Sequence, residues 1–196
     1  MGYKPTDNSD FEGKVQLRQW LLDQLGGVKK LGVLECFGGE GHLHDACYTQ
    51  AKKHMAFELR AMPHRPTWIS GDNQILLEKH VQGWDLYDLD AYASPWYMAH
   101  SVCRLRGPGR FGIVATCCTN RTLRAGNMMG YERFASGYGK LPNSPLLVRF
   151  YDDIIRCVVN EWFRFGVQFE KGKRLRSAAR SSPTRYYAFV LNKQGA

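Results

Sequence analysis

The spacing of apolar positions changes period several times along the chain. Val15, Leu17, Trp20, Leu21, Leu22 and Leu25 recur near helical spacing and predict a helix over residues 11–25, stopped by Gly26-Gly27. The run Leu31 to Glu35 predicts a first strand, and Phe37 to Gly41 a loop leading into a helix over 42–53. A second strand ends at Glu58, Pro63 and Pro66 mark a loop, and a third strand ends near Gly71. Asn73 is placed to cap a helix running through His80. Trp84 to Asp90 forms a fourth strand, and Pro95 opens a turn before a helix over 97–104. Phe111 to Cys117 is apolar and β-branched enough for a central fifth strand. Thr119 to Ser144 is long and rich in Gly and Asn, the mark of a functional loop. Leu147, Phe150, Tyr151, Ile154, Ile155, Val158, Val159 and Trp162 give a helix over 146–165 a broad apolar face. Val167 to Phe169 and Tyr186 to Leu191 then pair as two strands joined by a basic loop over 171–185. Residues 1–10 are polar and expected to fray.

Strands that alternate with helices predict an α/β fold: a mostly parallel sheet with helices on both faces. The closing pair adds one antiparallel strand. This order resembles the class I methyltransferases, which implies a Rossmann-like sheet of seven strands in a single domain over 1–196.

Composition narrows the partners. There is no apolar run of membrane-spanning length and no apolar signal core near Met1, so a cytoplasmic protein is expected. Cys36, Cys47, Cys103, Cys117, Cys118 and Cys157 form no CxxC pair, and no paired His spacing completes a zinc site. Reduced, buried thiols and no metal are expected, and His42 and His44 read as surface residues. Lys and Arg number 27 against 18 Asp and Glu, a formal net charge of +9. Lys171, Lys173, Arg174, Arg176, Arg180 and Arg185 lie in one stretch without an acid, which favours a polyanion, since each neutralised phosphate releases counterions. Arg121, Arg124 and Arg133 in the long loop are placed to touch phosphate, and Met128-Met129 to contact a base or anchor the loop.

The candidate chemistry sits at the strand ends, where open α/β sheets bind ligands. Glu35 precedes the loop Phe37-Gly38-Gly39-Glu40-Gly41, whose glycines let a ligand approach the backbone closely. The third glycine of a nicotinamide fingerprint is missing, and an acid at this strand end would repel a diphosphate. It suits an ammonium group instead. Glu58 stands where an acid at the second strand end meets a ribose, and Asp72 with Asn73 where an adenine amino group would lie. A ligand with a ribose, an amino group and a cationic centre fits these acids, and S-adenosylmethionine has all three. Glu35, Phe37, Gly39, Gly41, Glu58, Asp72 and Asn73 are therefore the candidate cofactor residues. The competing readings are a tight turn for the glycines, an ion pair with Arg60 for Glu58, and a helix cap for Asp72.

The fourth strand runs into Asp88-Leu89-Asp90-Ala91-Tyr92-Ala93-Ser94-Pro95. This element resembles the Asp-x-Asp-Pro-Phe/Tyr-Gly-Ser-Pro element of the tRNA N2,N2-dimethylguanosine methyltransferases. The apolar strand Ile113-Val114-Ala115-Thr116, the segment Tyr138-Gly139-Lys140-Leu141-Pro142 and the helix Tyr151-Asp152-Asp153-Ile154-Ile155-Arg156 follow in the same order, so the resemblance covers about residues 30–170. Ala91 and Ala93 replace the family's proline and glycine. The family's C-terminal domain, which helps hold tRNA, has no room in 196 residues.

The resemblance implies methyl transfer to an exocyclic amine of nucleic acid, with guanine N2 of tRNA the first choice. A carboxylate that accepts the amine's N–H localises its lone pair. Asp90 takes that role and Tyr92 stacks on the base, without a metal. Asp88 points to the other strand face or supports the site from behind. Lys173, Arg174, Arg176, Arg121 and Arg124 are the candidate nucleic-acid contacts. Ser94-Pro95-Trp96 also resembles a shortened Ser-Pro-Pro-Trp/Tyr element of DNA cytosine-N4 methyltransferases, so a DNA amino-methyltransferase is an alternative. A non-catalytic nucleic-acid-binding module on a degenerate methyltransferase fold is another.

Overall fold

The computed structural model describes residues 10–65, 67–91, 94–118, 144–177 and 184–195, with side chains throughout except at 118 and 144–150. Among the described residues, seven strands form one sheet: β1 (Gly32–Cys36), β2 (Lys53–Glu58), β3 (Ile69–Ser70), β4 (Leu86–Leu89), β5 (Gly109–Cys118), β6 (Val167–Arg176) and β7 (Thr184–Lys193). Their order across the sheet is β3-β2-β1-β4-β5-β7-β6. β7 runs antiparallel to both β5 and β6; the other pairs are parallel. The expected α/β architecture is thus observed. The chain starts mid-sheet, winds outward to β3, and returns to lay β4 beside β1. That reversal opens a crevice at the carboxyl ends of β1 and β4.

Helices α1 (Phe11–Gln24), α2 (His42–Cys47), α3 (Asn73–His80), α4 (Trp96–Leu105) and α5 (Ser144–Glu161) cover the sheet. Because strand side chains alternate, each strand feeds two cores. Leu34, Cys36, Phe57, Tyr87, Leu89, Ile113 and Ala115 point to one face, among Leu77 of α3, Val102 of α4 and Ile154 and Val158 of α5. Val33, Leu86, Val114, Ala188 and Val190 point to the other, under Leu17, Leu21 and Leu22 of α1. Among the described residues no helix is long and apolar enough to cross a membrane. Cys36, Cys47, Cys103 and Cys117 are buried free thiols, and Cys157 is half-buried.

Three elements differ from the sequence expectation. Helix α2 ends at Cys47 rather than Lys53. Pairing of Gly32 with Lys53 starts β2 there, so the helix must stop early enough for the chain to turn back. Asp72, not Asn73, caps α3: its side chain accepts from the backbone N–H groups of Gln74 and Ile75. The stretch Lys171 to Arg176 is strand, not loop. It pairs with β7 from Lys171↔Val190 to Arg176↔Arg185, after a bulge at Phe169/Lys171. Most of its side chains are exposed because β6 is the sheet's edge, where charged residues are tolerated.

Candidate cofactor and catalytic site

Beyond β1 the backbone is contorted. Phe37 has φ 70°, and Gly39 and Gly41 have φ 54° and 86°. A non-glycine residue held there costs about 1–3 kcal/mol, a strain that clusters at ligand sites. A side chain at Gly38 would run into the Trp68 ring, and one at Gly41 would lie 2.7 Å from the Arg65 guanidinium. The loop is tied down by three backbone donors. Gly38 donates to the Phe57 carbonyl at 3.0 Å, Gly41 to the Gly38 carbonyl at 3.0 Å, and Gly39 to Glu58 Oε2 at 2.8 Å. Glu58 Oε1 accepts from the backbone of Leu59 at 2.8 Å. The carboxylate expected to meet a ribose therefore also fixes the glycine loop, while a carboxylate oxygen can accept a second bond outward. It contacts loop backbone, and no ion pair with Arg60 is seen among the described residues.

Under this loop lies a buried polar network. Arg18 of α1 clasps Asp88 in two hydrogen bonds, Nε to Oδ2 at 2.6 Å and Nη2 to Oδ1 at 2.7 Å, both side chains being fully buried. The Tyr48 hydroxyl donates to Asp88 Oδ2 at 2.6 Å. Glu35 is the register neighbour of Asp88 and is only 2% exposed. Burial, then the nearby Asp88 charge, pushes the Glu35 carboxyl well above its ordinary range. Its Oε2 lies 3.1 Å from His54 Nε2, and His44 Nδ1 lies 3.2 Å from that same nitrogen. Burial draws His54 down to about 4 and also lowers His44. His44 is thus no surface residue, with a side chain 16% exposed. Sequence reading missed this grouping; the one available signal was that His54 shares an alternating strand face with Glu58.

Asp90 and Asp88 point to the same side, toward α1, as a period of two requires; the opposite-face alternative for Asp88 is corrected. Lys14 donates to Asp90 Oδ2 at 2.8 Å, and Arg18 Nη2 lies 3.8 Å from Oδ1. Burial opposes ionisation of Asp90, but Lys14 and Arg18 outweigh it and hold the carboxyl below its ordinary range. Oδ1 is buried without a hydrogen-bond partner among the described residues. One oxygen is therefore engaged by Lys14; the other is buried near Arg18, and the Thr116 hydroxyl also helps hold the carboxyl down.

At the end of β3, Asn73 is buried and its Oδ1 also lacks a partner among the described residues. Trp96 is fully buried: its indole donates to the Tyr151 hydroxyl at 2.8 Å, and its ring meets Tyr187 edge-on at 5.2 Å. It is core, not a platform for a base. On β6, Arg174 and Arg176 both reach Asp152 of α5, the latter at 3.6 Å, and Arg185 joins them at 2.9 Å. Lys173 lies over the Trp20 ring at 5.9 Å. Tyr92, Arg121, Arg124, Met128, Met129 and Arg133 lie outside the described residues.

Neither a family model nor a curated protein matches the chain. Its fold does match solved structures. N-methyltransferase NodS from Bradyrhizobium japonicum WM9, in complex with S-adenosyl-L-homocysteine, superposes with a TM-score of 0.58 at 13% identity, over 96% of this chain and 90% of that one. Trm1 from Pyrococcus horikoshii, in complex with S-adenosyl-L-methionine, gives a TM-score of 0.64 at 11% identity. That match covers 100% of this chain but 57% of Trm1. TYW2 from M. jannaschii, in complex with AdoMet, gives 0.54 at 8% identity, over 99% of this chain and 79% of that one. The chain has the Rossmann-like fold of these methyltransferases.

Proposed function

We propose that the chain is an S-adenosylmethionine-dependent methyltransferase acting on an exocyclic amine of nucleic acid, with guanine N2 of tRNA as the first target to test. The reading is supported by acceptors at the strand ends on either side of a strained glycine loop. They are the unpartnered Oδ1 of Asp90, the unpartnered Oδ1 of Asn73, and the outward lone pairs of Glu58. The fit to S-adenosylmethionine is chemical. Glu58 accepts from ribose hydroxyls, Asp72 and Asn73 accept from the adenine amine, and Phe37, Gly39 and Gly41 present backbone to the amino-acid end, above Glu35.

When bound, S-adenosylmethionine supplies a methyl group activated by its sulfonium. The residues of the chain do the rest. Asp90 Oδ1 accepts an N–H of the target amine, localises its lone pair and takes the proton that the amine gives up on methylation. Lys14 and Arg18 keep this carboxylate ionised and fixed in place. Tyr92 stacks on the base. Lys173, Arg174 and Arg176, with Arg121 and Arg124, contact phosphates, and the protein works in the cytoplasm.

The Lys14–Asp90 pair also favours a second reading, a non-catalytic nucleic-acid-binding module, because half of the would-be acceptor is already engaged. Calorimetric titration with S-adenosylmethionine and S-adenosylhomocysteine separates the two. Micromolar binding of both, followed by transfer of labelled methyl to unmodified tRNA and not to DNA, supports the enzyme. Absence of binding to either, with nucleic acid present, removes it.

A further inference from the structure

Glu35, His44 and His54 come from β1, α2 and β2, and their facing atoms form a small triangle. Glu35 Oε2 to His54 Nε2 is 3.1 Å, His54 Nε2 to His44 Nδ1 is 3.2 Å, and His44 Nδ1 to Glu35 Oε2 is 3.9 Å. We infer that this triangle is a divalent transition-metal site of the zinc class, held by Glu35 Oε2, His44 Nδ1 and His54 Nε2, with a fourth position left to water or another small ligand. This goes beyond methyl transfer and does not rest on it.

The first argument is size. A tetrahedral ion with bonds of about 2.0–2.1 Å separates its ligand atoms by about 3.4 Å. The three observed edges bracket that value. The second argument is proton bookkeeping. His54 Nε2 faces both other atoms, yet a ring nitrogen carries either one proton or one lone pair. One proton satisfies one or two edges of the triangle; a cation at its centre satisfies all three. The third is charge. Glu35 is almost wholly buried beside the Asp88 carboxylate, and Arg18 already closes on Asp88. Arg65 is turned to Asp45 at 2.5 Å. Neither arginine thus compensates Glu35 by direct contact.

Two imidazoles and one carboxylate select borderline metals over Mg²⁺ or Ca²⁺, which prefer all-oxygen shells. Among the described residues no fourth His, Cys, Asp or Glu atom joins the group. Tyr48 stacks near His54 at 6.5 Å, and Trp68 sets its edge against His44 at 6.2 Å. Because the ligands come from both ends of the glycine loop and from β2, the ion staples the loop in place.

The test is titration of the chelator-stripped protein with Zn²⁺ by calorimetry and with Co²⁺ by visible absorption at pH 7. Wild type is expected to take up one equivalent, with the strong visible bands of a four-coordinate Co²⁺ bound by nitrogen and oxygen. His44→Ala and Glu35→Gln are expected to lose at least roughly tenfold in affinity, since outer partners of a metal ligand alone command that much. Both variants must melt, metal-free, within a few degrees of wild type, which separates a lost ligand from a lost fold; His54→Ala serves if either fails. No uptake by wild type, uptake unchanged in the folded variants, or a sulfur-to-cobalt band marking a cysteine site would each overturn the assignment.

Discussion

The two faces of the sheet are built from the same strands and differ by one residue of register. On one, Leu34, Cys36, Tyr87, Leu89 and Ile113 meet α3, α4 and α5 in an apolar core whose polar atoms are few: the Tyr87 hydroxyl donates to the Val81 carbonyl and the Trp96 indole to Tyr151. On the other, Glu35, Asp88 and Asp90 interrupt the core with three carboxylates, answered by Arg18, Lys14, Tyr48 and His54. A dry face can only be repacked. A face with buried charges is satisfied only if every partner is present, and its unsatisfied acceptors are then available to a ligand. The difference is why the proposed chemistry is placed at the carboxyl ends of β1 and β4, on the α1 side.

The largest effect is expected where that contrast is sharpest. Arg18→Met leaves Asp88 buried and uncompensated and should cost about 3–5 kcal/mol in denaturant unfolding. Arg18→Met with Asp88→Leu should regain most of it. If the double variant is no better than the single one, the pair's value lies in packing rather than in charge.

Asp90→Ala should lower turnover by about 10²–10³, the loss typical of one preorganised electrostatic contact, with S-adenosylhomocysteine affinity within a few-fold of wild type. Equal losses in both would move Asp90 from the reacting amine to the cofactor. A change on the opposite face makes the control: Ile113→Val should cost about 0.5–1.5 kcal/mol and leave turnover per folded molecule unaltered.

Acid should erase part of the contrast. The Asp90 carboxyl is held below its ordinary range in the folded chain, so its ion pairs stabilise fully above the unfolded value. That contribution is lost as the pH falls from the ordinary carboxylate range, about 4, through the lower folded value. The stability gap between wild type and Asp90→Asn should therefore be constant from pH 7 to 6 and close below the ordinary range. A gap that widens in acid would reverse the sign assigned to Asp90. The smallest effect concerns β6. Replacing Lys173, Arg174 and Arg176 with Gln should flatten the salt dependence of tRNA binding by up to roughly three phosphates' worth of slope. Because Asp152 already offsets Arg174 and Arg176, a change of nearer one is the sharper expectation.

Much of the frame was legible in the sequence, because periodicity and glycine punctuation survive into the fold. Helix α1, a first strand ending within a residue of Glu35, a second ending at Glu58, and the antiparallel closing pair all follow from local pattern. The site was legible as positions but not as partners. Glu58 stood out as an acid at a strand end, yet nothing local shows that it holds Gly39. Asp88 and Asp90 were visible; that Lys14 and Arg18 answer them depends on α1 crossing β4, a contact seventy or more residues away in sequence. His44 read as a surface residue and His54 as unrelated to it because their ten-residue separation spans a helix, a turn and a strand start. Lys171 to Arg176 looked like a loop because charge signals solvent, and an edge strand is exposed to solvent as well.

The reach of Arg18 has a consequence for how the chain comes into being. Arg18 is synthesised seventy residues before Asp88. Until β4 has been made and has slotted in beside β1, α1 carries a cation with no buried acid to receive it. Its docking is thus a late event, although its residues are among the first to emerge. A nascent chain halted before β4 should hold α1 undocked, and release of β4 should draw it down. The Arg18–Asp88 contact thus ties the first helix to the middle of the sheet.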